Sequence, residues 1–484
     1  MKTLFARTAV SVGGGGVVLI LQLISVPIAI RVAGLDDYGV WVALFSASQL
    51  IVMVDLGVGA ALVKRAGLGI TRTTWRHANY LFVTVGLVCA FAILYIFSNP
   101  LENLSHTLDS AREYELLILM ACASTLCAFV GRAASSIVIG WGRFDMDRGL
   151  SIISSLARFA VILLALSLDL GVVLVAISDL LFVSIPAVGA QVYVRTQIAQ
   201  RAVQGQRFEE KFLGLLKDSG PFFLLSLTGS GALQIQPVLV AALSDPTQTG
   251  LFAIAYRILM AGRQALTWVW TPSFTSFIDE VRDEGRISIE NLKSSYVLHG
   301  LLVILLLIPI AVFREDLIAI WLAMDVEASY PAIIYVCAFL AAMCLYMPVV
   351  AAVNAIGMQK RLVVTQTVWF LLVLGLSVVS IRHFGASGAG LALLTATFVM
   401  SPAYLWQCGI LTQISGRNLA LRLLTAEIIS VGFALAVLQF AIHLSSSILV
   451  RLAICVIFYS IPVAFLSFKM ISTIKNLEKV AVQK

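Results

Sequence analysis

Seven charged residues sit where charge is expensive. Arg132, Arg158, Arg257 and Arg263, with Asp55, Asp179 and Glu427, fall inside long apolar runs such as "LFSASQLIVMVDLGVGAAL" and "SSLARFAVILLALSL". An arginine at the centre of a membrane span costs about 2.5–3.5 kcal/mol on an insertion scale, so such residues face a bundle interior or a watery cavity. Four bases against three acids leave a positive surplus. A guanidinium offers a planar fork of donors that matches phosphate bidentately, so a cavity walled by these groups selects an anion. Arg132 and Arg158 belong to the fourth and fifth apolar runs, and Arg257 and Arg263 share the eighth. Their six-residue separation leaves them about 120° apart around a helix. The same charges also read as structural ion pairs. Asp179, nearest mid-span, is the better candidate for an ion-coupling carboxylate. Asp55 and Glu427 lie toward span ends, where pairing or snorkelling serves as well.

Uncharged residues extend the set. Gln22, Gln234 and Gln236 are candidates to hydrogen-bond sugar hydroxyls. Gly13, Gly14, Gly15, Gly16 and Pro27 in the first run, with Pro221 and Pro237 in the seventh, are candidate hinges. Glycine and proline let a span bend because neighbouring helices re-satisfy the freed backbone groups. Close packing of small residues is the competing account. Trp41, Trp268, Trp270, Trp369 and Trp406 read as interface or lipid-facing aromatics, with Trp268 and Trp270 alternatively stacking on sugar rings.

The elements that must carry these residues follow from composition. The chain has 484 residues, 60% hydrophobic and 12% charged, with a mean hydropathy of +0.98. Soluble domains carry about 25% charged residues. An all-α integral membrane protein is expected, with about 14 transmembrane helices between residues 10 and 468. The apolar run after Met1, Lys2 and Arg7 reads as the first of them rather than as a cleaved signal. Bases cluster in alternate connections, including Lys64, Arg65, Arg143, Arg148, Lys360, Arg361, Arg417 and Arg422. Acids occupy the others, including Asp36, Asp37, Asp169, Asp245, Glu315 and Asp316. This bias puts both termini in the cytoplasm and accounts for the net charge of +7 without nucleic acid.

The expected organisation is an N-lobe of six helices (1–194), a basic cytoplasmic linker (195–218), a C-lobe of six helices (219–411), and two extra helices with a cytoplasmic tail (412–484). The lobes are related by a pseudo-repeat. "IAIRVAGLDDYGVWVALFSA" parallels "VLVAALSDPTQTGLFAIAYRI", with Gly39 and Gly250 opening corresponding helices, and "IGWGRFDMDR" parallels "NAIGMQKR". Paired repeats are a transporter signature, with substrate bound between them. The seven cysteines lie in apolar runs and read as packing residues. No CxxC or HExxH spacing and no His cluster argues for a metal or cofactor.

"LDDYGVWVALFSASQLIVMVDLGVGAAL" resembles the opening of the polysaccharide transport (Wzx-type) flippases. Their second helix starts Tyr-Gly-x-Trp, here Tyr38, Gly39 and Trp41, and carries Asp-Leu-Gly near its end, here Asp55, Leu56 and Gly57. "YRILMAGRQALTWVWTPSF", "NAIGMQKR" and "FGASGAGLALLTATF" resemble later segments of the same family. The resemblance places the chain in the multidrug/oligosaccharidyl-lipid/polysaccharide exporter superfamily. It implies a flippase, not an enzyme, moving an undecaprenyl-diphosphate-linked oligosaccharide across a bacterial inner membrane by alternating access. It also implies an ion gradient (H+ or Na+) as energy source, with membrane lipid, polysaccharide polymerase and chain-length proteins as partners. O-antigen or exopolysaccharide biosynthesis is the setting. Peptidoglycan-precursor flipping is a close variant. A cation-coupled multidrug antiporter is the rival within the superfamily, and its cationic substrates fit an arginine-lined cavity poorly. An integral-membrane glycan polymerase or ligase is the rival from enzymes, and it would want a large external loop that this chain lacks.

Overall fold

The structure is a computed structural model describing residues 2–52, 58–59, 62–63, 66, 70–98, 111–168, 171–201, 212–285, 287–323 and 326–412. Asp55, Glu427 and the last two expected helices lie outside the described residues. Every regular element among the described residues is helical. They are α1 (Lys2–Ala33), α2 (Leu35–Val52), α3 (Arg72–Ser98), α4 (Ala111–Gly140), α5 (Phe144–Leu168), α6 (Gly171–Arg201), α7 (Phe212–Leu243) and α8 (Pro246–Glu284). Then come α9 (Ile289–Leu302), α10 (Ile308–Val312), α11 (Arg314–Leu322), α12 (Tyr330–Ile356), α13 (Gln359–Phe384) and α14 (Ala386–Thr412). Nine of the helices among the described residues are long and apolar enough to cross a membrane. With no water to satisfy amides in hydrocarbon, a helix is the spanning form that closes all its own hydrogen bonds.

Helix ends depart from the apolar runs in a consistent direction. α1, α5 and α8 each begin or end several polar residues beyond them, because a helix continues through the interface while hydropathy falls. α6 and α7 likewise run into both ends of the expected linker, to Arg201 and from Phe212. The ninth run is not one regular helix. Between α9 and α10 the backbone widens into a π-helical turn, Val303–Leu307. Pro309 follows at the start of α10; without an N–H it cannot bond the carbonyl four residues back, and a π turn absorbs the mismatch.

The chain divides into two compact units. The first holds residues up to Arg257 together with Gln366–Ala392. In it α4 packs against α3 and α6, α5 against α6 and α1, and α2 against α7 and α4. Small residues set these distances. A Cβ on Gly131 of α4 would lie 2.5 Å from the Ala187 Cβ of α6. Gly131→Val is therefore expected to destabilise by about 1–3 kcal/mol through overpacking, read as a lower melting temperature in detergent. The second unit holds Ile258–Thr365 and the chain from Leu393. There α9 packs against α12, and Gly262 of α8 faces Leu340 of α12 at a distance that leaves no room for a Cβ.

Corresponding turns share geometry. Gly142 (φ 70°) ends α4, with its N–H on Ile139 O (2.9 Å) and the next N–H on Val138 O (3.1 Å). Gly357 (φ 84°) ends α12, with its N–H on Asn354 O (3.2 Å) and the next on Val353 O (3.1 Å). Both are Schellman closures, which need a left-handed residue at that position. "IGWGRFDMDR" and "NAIGMQKR" are thus alike in backbone as well as in sequence.

Candidate functional site

Two aromatic residues in the first turns of α2 organise the charges of the first unit. Tyr38 and Trp41 are three apart, so they share one helix face, and both are fully buried. The Trp41 indole N–H donates to Asp179 Oδ2 of α6 at 2.9 Å. The other carboxylate oxygen, Oδ1, lies 2.7 Å from Arg158 Nε of α5. This is an ion pair whose angle falls short of a well-aligned hydrogen bond. Arg158 is 3% exposed and Asp179 1%. The Arg158 guanidinium also stands 5.7 Å from the Phe182 ring centroid, one turn along α6 from Asp179.

The second arginine reaches the same place from α8. Arg257 Nε donates to the Tyr38 hydroxyl at 2.9 Å, and its guanidinium carbon is 5.7 Å from that ring's centroid, within cation–π range. Arg257 is half-buried. It is close enough for its charge to act on Arg158 and on the Asp179 carboxylate. Two guanidinium groups and one carboxylate leave a net charge of +1, and Arg257 is the more accessible cation.

Gly39 and Gly250 explain how α8 comes so near. A Cβ on Gly39 would lie 2.5 Å from Gly250 N, and one on Gly250 would lie 2.5 Å from Leu35 O. The starts of α2 and α8 therefore meet backbone to backbone. Gly250 and Arg257 are seven residues apart, about two turns, and so share a face. The residues of Tyr38-Gly39-x-Trp41 thus divide the work: Tyr38 holds Arg257, Gly39 admits α8, and Trp41 holds Asp179.

The remaining candidates are distributed as follows. Gln234 accepts a hydrogen bond from the hydroxyl of Tyr256, the neighbour of Arg257. Gln236 is fully buried; its amide donates to Ala232 O one turn back on α7 (3.1 Å), and its Oε1 accepts from Ser377 Oγ of α13 (3.0 Å), which ties α7 to α13. Gln22 is half-buried on α1. Arg132 is on the exposed side of α4. Arg263 is half-buried on α8 in the second unit, near Tyr346, which stacks on Tyr404 with ring centroids 4.4 Å apart. Gly13, Gly14, Gly15, Gly16 and Pro27 lie in α1, and Pro221 and buried Pro237 in α7.

Tryptophan roles need correction. Trp41 and Trp369 are core residues at 0% and 3% exposure, not interface residues, whereas Trp406 is 76% exposed. Composition could not separate them, because an indole suits an interface belt and a buried hydrogen bond equally. The available signal was Tyr38 and Trp41 at i and i+3, both with a polar tip, at the head of an apolar run. Trp270 stacks on Phe274 (4.9 Å) within its own helix.

Comparisons with known proteins agree with this architecture. A family model described as polysaccharide biosynthesis protein matches residues 4–275. No curated protein sequence matches the chain. Among solved structures, the lipid II flippase MurJ in an inward closed conformation superposes with a TM-score of 0.69 at 12% identity, over 96% of this chain and 100% of that one. A Vibrio cholerae MATE transporter gives 0.57 at 16% identity, over 84% and 95%. A MATE structure in complex with MaD5 gives 0.57 at 17%, over 88% and 97%. At these identities the likeness is one of fold.

Proposed function

The chain belongs to the polysaccharide biosynthesis protein family, and from that premise we propose that it is a flippase carrying a polyprenyl-diphosphate-linked oligosaccharide from the cytoplasmic to the periplasmic leaflet of a bacterial inner membrane. Family membership and a multi-pass helical fold like those of a lipid flippase and MATE exporters support a transporter. One observation supports the anionic lipid in particular: the Arg158–Arg257 pair, drawn from two distant helices, carries a positive charge in excess of Asp179 and leaves Arg257 half-buried. A phosphate oxygen pair matches such a fork of donors, while an organic cation is repelled by it.

In this reading Arg257 is the first contact of the diphosphate and Arg158 the second. Arg132, Arg263, Gln22 and Gln234 serve the glycan or its acidic groups. Gln236, with both ends engaged, serves helix packing. The lobes are 1–194 and 219–411, moving in alternating access through the glycines of α1 and the prolines of α1 and α7. Both termini are cytoplasmic. A gradient of H+ or Na+ supplies energy, with Asp179, Asp55 and Glu427 as candidate coupling carboxylates.

The test is leaflet translocation of a polyprenyl-diphosphate oligosaccharide in reconstituted vesicles, with uptake of an organic cation as the control. Arg257→Ala is expected to lower the rate about tenfold or more, because charge-assisted hydrogen bonds of this kind contribute about 1.5–3 kcal/mol. Its stability should change little, as Arg257 is only half-buried. Uptake of the cation without lipid movement would overturn the proposal in favour of a multidrug exporter, the activity suggested by the MATE-like fold.

A further inference from the structure

We propose that Asp179 determines which anions the two arginines accept: held in place by Trp41, it occupies Arg158, so that a single phosphate meets Arg257 alone while a diphosphate displaces the carboxylate and engages both guanidinium groups. The inference rests on the flippase reading above and assigns Asp179 a role in specificity and Trp41 a positioning role.

The geometry supports it at three points. First, both oxygens of Asp179 are engaged, one by Arg158 Nε (2.7 Å) and one by the Trp41 N–H (2.9 Å). The carboxylate thus stands on Arg158 where a phosphate oxygen would stand. Second, Trp41 is immobilised. It is fully buried, with Phe45 one turn away at a ring-centroid distance of 5.7 Å, so its N–H fixes the carboxylate. Third, the arginines differ in access. Arg158 is buried behind its partner, whereas Arg257 is half-buried and held through Nε by Tyr38.

Charge then discriminates. A monoanion is neutralised by Arg257 and gains nothing by expelling Asp179. A diphosphate diester carries two negative charges and needs two cations. When it takes Arg158, two guanidinium groups stand against its two phosphate charges, and Asp179 is left with the Trp41 N–H. Asp179 is met by Arg158 from α5 and Trp41 from α2, and the charge of Arg257 from α8 acts on it.

The experiment measures thermal stabilisation of the full-length protein in detergent by a short-chain polyprenyl-diphosphate sugar, a diester with two charges, and by the matching polyprenyl-monophosphate sugar, a diester with one. The native protein is expected to prefer the diphosphate by about tenfold or more, the worth of one added charge-assisted contact. In Asp179→Asn the monophosphate should bind more tightly and the ratio should fall toward one. Trp41→Phe, which keeps the packing but removes the N–H, should shift the ratio the same way by less. A native-like ratio in folded Asp179→Asn, or in Trp41→Phe if the former fails to fold, overturns the inference. Equal binding of both lipids by the native protein also overturns it and leaves the flippase reading standing. Binding of neither overturns both.

Discussion

Arg158→Ala should destabilise the first unit by about 3–5 kcal/mol, the usual result of leaving one member of a buried ion pair without its partner. The orphaned group is Asp179, 1% exposed and left with only the Trp41 N–H. Asp179→Ala should be comparably costly, since it strands the Arg158 guanidinium at 3% exposure. The double variant Arg158→Ala/Asp179→Ala should be more stable than the sum of the singles predicts, because contacting residues couple by about 0.5–3 kcal/mol. Denaturation midpoints of the four proteins in one detergent would measure this. Simple additivity would mean that the two side chains do not form an ion pair in the folded protein. The result also separates the arginines by role. Arg257, half-buried and bonded to a neutral hydroxyl, is expected to lose transport with little loss of stability, whereas Arg158 loses both.

Much of this arrangement is legible in the sequence alone, for reasons particular to certain residues. A charge inside an apolar run has few explanations, so Arg158, Asp179 and Arg257 stand out. The Gly142 and Gly357 turns are visible because a left-handed helix end favours glycine and recurs in similar strings. Partner choice is hidden. Asp179 has four arginines available, and nothing in spacing distinguishes Arg158, 21 positions away on the preceding helix, from Arg257. Tyr38 and Trp41 are hidden too, because a buried aromatic with a polar tip reads like a lipid-facing one until its hydrogen bond is seen. Arg132 shows the opposite limit: it also sits in an apolar run, yet its side chain lies on the exposed side of α4. The π turn before Pro309 escapes a reading by hydropathy because the run around it is uniformly apolar and carries no trace of a change in backbone winding.

Gly39→Ala is expected to part α2 from α8. The added Cβ would stand 2.5 Å from Gly250 N and 2.8 Å from Gly250 Cα. Those are backbone atoms that no rotamer change can move, so the helices themselves must separate. Overpacking of this kind costs about 1–3 kcal/mol. Gly250→Ala meets Leu35 O at 2.5 Å and should behave alike. Because the first substitution already opens the space, the pair should cost less than the sum of the singles. Gly149→Ala is the control, with nothing within 4 Å of its Cβ. The structural consequence is readable at Thr249, which is 1% exposed at this contact. Next to it, Gln248 Oε1 accepts the Ala386 backbone N–H at 2.9 Å, tying the start of α8 to α14. Thr249→Cys should resist a membrane-impermeant maleimide in an otherwise native chain and react several-fold faster in the Gly39→Ala background, by the shift from a closed to an open contact. Equal protection in both backgrounds would mean that α2 and α8 do not meet at Gly39. Faster labelling together with lost transport would mean that closing this contact is a step of the transport cycle, since Tyr38 and Gly39 are adjacent and Arg257 depends on the same approach of α8.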